Sequence, residues 1–169
     1  DCTSHRTRHM QDAGSSGNFL IHNLHAYGNH RPPFGSHNGA TNFTFDSLFC
    51  GDGSGGIQWR GHNMNVNACT LRGREDEGAA IYDSAGAAAD IPRDYTITGN
   101  TVSGDRQAIL LSANIRSVKS ANNTYEAQAA SFYPVDISTL DLDFATFSND
   151  LMVTVSQYCL FAQNTTPRT

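Results

Sequence analysis

The amino-acid sequence predicts an all-β fold, a parallel β-solenoid, on three observations. Short runs of β-type residues recur along the 169 residues, and turn residues separate them. Two of these runs end alike, in residues 99–102 (GNTV) and 122–125 (NNTY). The pattern is densest over 78–130. Self-similarity at a nearly fixed period is typical of repeat architectures, in which each repeat packs on its neighbours.

Five runs can be aligned on their first residues, and residues of similar character then occupy the same columns of the alignment. They begin at Phe19, Phe43, Met64, Tyr95 and Val118, which lie 24, 21, 31 and 23 residues apart. The third and eighth residues are mainly apolar, and the sixth changes from apolar to Asn along the chain. Alternation on both sides of a bend at the fourth or fifth residue predicts two short strands, each with one buried face. Coils stacked about 4.8 Å apart, with additional residues in loops, fit this pattern.

A third strand is predicted ahead of each later run, over 56–60, 79–83 and 108–112. One of its columns contains Ile57, Ala80 and Ile109. The next column contains Ile81, Leu110 and Phe132 and is predicted to face outward. Because a contiguous exposed apolar stripe is unusual on a monomer, this column predicts a homo-oligomer that packs side by side.

The domain organisation follows from where the repeat begins and ends. We expect a polar N-terminal segment or a cut coil over 1–16, a parallel β-helix of about five coils over 17–135, and a C-terminal β-strand cap over 136–169. The alternating segments 140–147 and 151–161 favour the cap, because an uncapped solenoid exposes strand edges. A first residue other than Met suggests a processed product or part of a longer chain.

Composition excludes several classes of partner. The net charge of −5 and the pI near 5.7 argue against nucleic acid and against a basic membrane-binding surface. The sequence has no 18-residue apolar run, so no membrane insertion is expected. Cys50 and Cys69 fall in neighbouring inward columns, which leaves two alternatives open, buried free thiols or a disulfide.

The segments 42–48, 63–69 and 94–102 resemble the repeat of the right-handed parallel β-helix proteins, the pectate-lyase-like superfamily. Asn100 and Asn123 are similar to the inward Asn ladder of these coils. The resemblance covers about residues 17–130 and implies a right-handed parallel β-helix with a polysaccharide as partner. Tailspike-type members imply a homotrimer and a location outside the cell or on the virion surface. The sequence lacks the family's catalytic signatures, so no family active site is carried over.

Charged residues between Ile57 and Arg106 form the candidate site. Glycoside hydrolysis needs two carboxyl groups roughly 5–10 Å apart, and the candidate catalytic residues are Glu77, Asp83 and Asp105. The candidate substrate-binding residues are Arg60, His62, Tyr82 and Arg106. Arg60 and Asp83 end equivalent predicted strands one coil apart, so they are expected to stack within about 5 Å, as a substrate clamp or a surface ion pair.

Two functional hypotheses remain open on the sequence. The first is an extracellular or virion β-helix domain that binds a polysaccharide, and that depolymerises it if it is a polysaccharide lyase or glycoside hydrolase. The second is a non-catalytic structural or receptor-binding part of a phage appendage or surface adhesin. Neither hypothesis requires a metal or a cofactor, and none is expected.

Overall fold

The computed structural model describes residues 2–5, 11–13, 17–28, 32–36, 40–51, 56–73, 79–83, 93–112, 115–129, 133–139, 142–155 and 158–164. These residues form twenty β-strands in three sheets. Sheet 1 contains β1 (Cys2–His5), β4 (Leu24–Tyr27), β7 (Phe49–Gly51), β10 (Thr70–Gly73), β13 (Thr101–Gly104), β16 (Thr124–Ala127) and β19 (Leu151–Thr154). Sheet 2 contains β2 (Gln11–Ala13), β5 (Phe34–Ser36), β8 (Ile57–Trp59), β11 (Ala79–Asp83), β14 (Gln107–Leu111), β17 (Val135–Thr139) and β20 (Leu160–Asn164). Sheet 3 contains β3 (Phe19–His22), β6 (Phe43–Asp46), β9 (Met64–Asn67), β12 (Arg93–Thr98), β15 (Ile115–Ala121) and β18 (Phe144–Ser148).

The chain visits the three sheets in turn, and every third strand pairs in parallel with its predecessor. This is a parallel β-solenoid, so the predicted fold class is confirmed. The sheets hold seven, seven and six strands, which is more than the five coils expected. The core runs along the interior as stacked apolar side chains, with Phe45, Trp59 and Leu71 among the residues buried there.

The predicted register of the five runs is confirmed. Tyr95 pairs with Val118, Ile97 with Ser120, and Val102 with Tyr125. The bend falls at the fifth residue of each run, and it has a left-handed backbone in each of the six coils for which the structure describes it. The residues at this bend are Asn23, Ser47, Ala68, Gly99, Asn122 and Asn149, with φ between 51° and 68°. One such residue per coil turns the chain from sheet 3 into sheet 1.

The predicted Asn ladder is also confirmed. The side-chain oxygen of Asn100 accepts from the backbone N–H of Cys69, and that of Asn123 accepts from the backbone N–H of Asn100, both at 2.8 Å. Asp150 continues the ladder by accepting from the backbone N–H of Asn123 at 2.8 Å. Each rung therefore satisfies a buried backbone donor of the coil before it.

The predicted register of the strand over 79–83 was wrong by one residue. Ile81, rather than Ala80, pairs with Ile57 and Ile109, and its side chain is buried. Because side chains alternate between the faces of a strand, a shift of one residue exchanges inside and outside. The outward column consists of Gln58, Tyr82, Leu110 and Asp136, all of them half-buried.

The apolar stripe on which the homotrimer prediction depended is therefore not formed by the described residues. Ile81 faces the core, Leu110 is half-buried, and Phe132 lies outside the described residues. The trimer stays a prediction, and it no longer has this surface as its support.

The C-terminal strands differ from the separate cap that was expected. β18, β19 and β20 extend the three sheets in parallel and thus add a further coil. Apolar side chains are exposed on this last coil, among them Leu151 at 59% and Val155 at 67%. The boundaries of the predicted segments stay predictions.

The two core cysteines are buried free thiols. Cys50 pairs with Ala26 and Leu71 in an inward column of sheet 1, while Cys69 lies in the column of the Asn ladder. Of the two alternatives for this pair, the structure therefore has the thiols and not the disulfide.

Candidate functional site

An aromatic surface lies on the outer face of sheet 1. The ring of Phe49 on β7 is 5.3 Å from that of Tyr27 and 5.8 Å from that of His25, measured between centroids. Tyr27 and Phe49 are half-buried and His25 is exposed. We call Tyr27, Phe49 and Gly51 the aromatic platform, because the Phe49 ring lies against Gly51.

Gly51 gives the Phe49 ring room to lie over the sheet. A Cβ atom at Gly51 would be 2.9 Å from Cε1 of Phe49 and 3.7 Å from Cδ1 of Tyr27. Real Cβ atoms essentially never approach another heavy atom to 2.9 Å, so any larger residue would displace the ring. The absence of a side chain at Gly51 thus allows the Phe49 ring to form part of a broad apolar surface.

Polar residues continue the same face beyond the platform. Thr70 pairs with Phe49, and Thr101 and Thr124 follow in register on the next two strands. We call these three threonines the hydroxyl column. Beside it, Arg72, Ser103 and Glu126 form a second outward column. Equivalent positions repeat about every 4.8 Å along the solenoid axis.

Asp83, a predicted catalytic residue, lies inside the coil. Its carboxylate accepts from the phenol of Tyr95 at 3.1 Å and from the backbone N–H of Ser112 at 2.7 Å. The Arg93 guanidinium lies 3.9 Å away, and the side chains of both Asp83 and Arg93 are almost completely buried. Burial, followed by the charge of Asp83, raises the pKa of Tyr95 well above its usual value. These contacts are those of a structural cluster in the core.

The expected stacking of Arg60 on Asp83 was wrong. Asp83 pairs with Trp59, so Arg60 lies one position beyond it and is half-buried outside the core. Arg60 follows β8 and is therefore not in register with Asp83, as the predicted stacking required.

The other predicted site residues lie at two different edges of sheet 2. Arg60 and His62 follow β8 and lie at its carboxyl end. Asp105 and Arg106 precede β14 and therefore lie at the amino end of a parallel strand in the same sheet. A strand of five residues separates the two edges by roughly 13 Å. The structure thus does not bring these two pairs together.

Two predicted site residues remain. Tyr82 is half-buried on the outer face of sheet 2, between Gln58 and Leu110. Glu77 lies outside the described residues. Their roles stay predictions.

The outer face of sheet 3 is mainly polar, apart from the exposed Leu20 and Phe144, and several of its polar side chains bond to one another. Asp46 accepts from Asn67 at 2.6 Å and lies 2.7 Å from Nδ1 of His22, and these contacts lower the pKa of its carboxyl group. Asp94 accepts a paired interaction from Arg116, which lowers the pKa of Asp94. The carboxylates of Asp46 and Asp94 are thus engaged by neighbouring side chains of the same sheet.

Sequence reasoning missed the aromatic platform, although its residues stand in the same alignment. His25, Phe49 and Thr70 are the seventh residues of their runs, and Tyr27, Gly51 and Arg72 are the ninth. These two columns flank the inward eighth residue, so their outward position could be deduced. Their mixed chemistry gives no periodic signal that would have drawn attention to them.

No group of three or more His, Cys, Asp or Glu that could hold a metal ion occurs among the described residues. In the same part of the chain, no helix is long and apolar enough to cross a membrane. The chain matches no protein-family model, no curated protein and no solved structure. The geometry of the site is therefore the basis for any functional conclusion.

Proposed function

We propose that the outer face of sheet 1 binds an extended polysaccharide along the solenoid axis. The aromatic platform carries this proposal. Aromatic rings offer a flat apolar face on which the C–H face of a sugar ring can stack, and their edges remain open to water. The neighbouring Thr70 and Arg72 offer donors to sugar hydroxyl groups within one coil of the platform.

The form of the solenoid supports a polymeric ligand. Equivalent outward positions repeat about every 4.8 Å, close to the length of one sugar unit, so successive coils can contact successive units of a chain. The resemblance to right-handed parallel β-helix proteins, which include polysaccharide-acting enzymes and tailspikes, points in the same direction. On that analogy the chain is an extracellular or virion domain of tailspike type.

Binding without cleavage is the form of this function that the geometry favours. The carboxylate of Asp83 is buried and engaged by Tyr95 and Ser112, so it has no access to a polymer on the outer face. Asp105 is half-buried at the amino end of sheet 2, whereas Asp83 lies at the carboxyl end of β11 in the same sheet, so the two do not form a catalytic pair. The same observations favour the second candidate, a receptor-binding part of a phage appendage or surface adhesin, in which recognition is the whole function.

The experiment is affinity electrophoresis of the purified protein in gels that contain neutral or acidic polysaccharides. Phe49→Ala is expected to weaken binding about two- to tenfold, because a stacked ring contributes about 0.5 to 1.5 kcal/mol. Gly51→Leu should have a similar effect by displacing the Phe49 ring. The matched control is Phe144→Ala, which removes an aromatic ring that is 44% exposed on sheet 3.

Each outcome of this experiment is decisive. Retardation of the parent and of the Phe144 variant, together with loss in both platform variants, supports the proposal. If no polysaccharide retards the parent protein, or if the platform variants bind as the parent does, the proposal is wrong. A reducing-sugar assay on the bound polymers separates binding from depolymerisation.

A further inference from the structure

The charged residues on the outer face of sheet 1 indicate which class of polysaccharide binds there. This inference rests on the proposed function. The two charged residues of the second outward column have opposite signs, since Arg72 and Glu126 lie in register with Ser103 between them. At the adjoining corner, Asp105 and Arg106 also form an oppositely charged pair in sequence. The chain as a whole has a net charge of −5. A polyanion would therefore meet no excess of positive charge here.

The aromatic platform selects for the shape of the sugar ring. With Gly51 beneath it, the Phe49 ring lies over the sheet beside Tyr27, and the two rings are tilted by 42° against each other. A pyranose whose substituents are all equatorial shows only C–H groups on its faces, and such a face can lie flat on the Phe49 ring, with the tilted Tyr27 ring at its edge. An axial hydroxyl group would point into the platform and lose its hydrogen bonds to water.

The hydroxyl column selects for the form of the polymer. Thr70, Thr101 and Thr124 continue in a straight line from Phe49, one per coil. The spacing of about 4.8 Å matches a chain that stays extended and advances about one unit per coil. β-1,4-linked chains of equatorial sugars are extended ribbons, whereas α-1,4-linked glucans coil and would leave this line after one or two units.

We infer that the ligand is a neutral, β-1,4-linked polysaccharide of equatorially substituted pyranoses, of the glucan or N-acetylglucosamine type. One unit stacks on the aromatic platform, and the following units lie over Thr70, Thr101 and Thr124. The binding site thus holds about four units, one for each coil. It ends where Leu151, exposed and apolar, takes the next place in the column.

The experiment is titration calorimetry with cello- and chito-oligosaccharides of two to six units, and with maltohexaose and hexagalacturonate for comparison. The affinity for the β-linked series should rise with length up to about four units and then become constant. Maltohexaose and hexagalacturonate should bind at least tenfold more weakly. Thr101→Val, which keeps the shape of the side chain, should weaken binding of the tetramer severalfold and leave the dimer unchanged.

The outcomes separate this inference from the proposed function. If maltohexaose or hexagalacturonate binds as well as the β-linked hexamers and this binding depends on Phe49, the polysaccharide-binding function stands and the inferred ligand class is wrong. If Phe49→Ala and Gly51→Leu bind every oligosaccharide like the parent, or if the parent binds none of them or the polysaccharides, the proposed function fails as well. Circular dichroism of each variant, with Phe144→Ala as control, shows that the fold is intact.

Discussion

The backbone N–H of Asn100 donates a 2.8 Å hydrogen bond to the side-chain oxygen of Asn123 in the next coil. The amide nitrogen of Asn123 in turn donates to the backbone oxygen of Ile97 at 2.9 Å. One side chain therefore satisfies a donor and an acceptor of the preceding coil, at a place where both are buried. This connection between coils is independent of the sheet hydrogen bonds.

Asn123→Ala should lower the free energy of unfolding by about 1 to 3 kcal/mol, because it leaves the buried backbone N–H of Asn100 without its acceptor. Urea denaturation measures this change. The control is Asn63→Ala, which removes an exposed amide–amide hydrogen bond to Asn42 and should cost less than about 1 kcal/mol. Equal effects of the two substitutions would contradict the structural role of the inner ladder.

Ala68→Gly should stabilise the protein, although it removes a side chain. Ala68 has a φ of 51° at the bend where Gly99 stands in the following coil. A left-handed backbone strains an alanine and not a glycine, and the expected gain is about 0.5 to 1 kcal/mol by urea denaturation. Ala121→Gly, in the strand β15, should destabilise the protein by a similar amount. A loss of stability in the Ala68 variant would be evidence against the left-handed bend.

The register of sheets 1 and 3 could be predicted from the sequence, while that of β11 in sheet 2 could not. In the runs from Phe19 to Val118, strict alternation and a bend residue every coil determine which side chains face inward. In β11, Ala79, Ala80 and Ile81 are all buried, so alternation does not distinguish the two faces. Ile57, Ile81 and Ile109 can be recognised as equivalent only from the structure, in which their side chains pack on one another in the core.

The candidate site was harder to predict than the fold. Sequence proximity grouped Arg60, Asp83 and Asp105, but which end of a strand a residue occupies depends on where loops interrupt the coil. Arg60 follows its strand and Asp105 precedes its strand, so they lie at opposite edges. Phe49 and Tyr27 are in outward columns that mix aromatic and polar residues, and such columns have no hydropathy pattern.

The ion pair between Asp94 and Arg116 should contribute to stability only above the acidic range. Arg116 lowers the pKa of Asp94 in the folded state, so folding favours the charged carboxylate. This contribution is complete above the unfolded pKa of about 3.9 and is lost as the pH falls through the lower folded pKa. The unfolding free energy of Arg116→Gln should therefore be lower than that of the parent at pH 6, and the difference should shrink below about pH 4. Asp94→Asn should show the same pattern, and a difference independent of pH would contradict it.

Two thiols should be protected from alkylation in the folded protein. Burial raises the pKa of Cys50 to about 12 and that of Cys69 to about 11, so neither is a thiolate at pH 8. Cys159 is exposed and serves as the internal reference. Mass spectrometry after iodoacetamide treatment at pH 8 should find Cys159 modified, and Cys50 and Cys69 modified only in urea. Rapid native labelling of Cys50 or Cys69 would contradict their burial.

The ion pair of Asp83 and Arg93 replaces apolar contacts that the neighbouring coils have at these positions. Asp83 pairs with Trp59 in the preceding coil, and Arg93 pairs with Ile115 in the following one. Within the described part of the chain, neither Nη atom of Arg93 has a hydrogen-bond acceptor. The guanidinium charge therefore depends on the nearby carboxylate for its compensation.

Asp83→Asn should lower the free energy of unfolding by about 3 kcal/mol, because it leaves the charge of Arg93 buried and unopposed. In the double variant Asp83→Asn/Arg93→Met that charge is removed, so much of the lost stability should return. Urea denaturation of the parent, both single variants and the double variant gives the coupling between the two residues. At a temperature where every variant is folded, polysaccharide binding should be unchanged, because the pair lies inside the coil and away from the aromatic platform. If Asp83→Asn instead keeps its stability and loses binding or turnover, Asp83 would belong to the functional site.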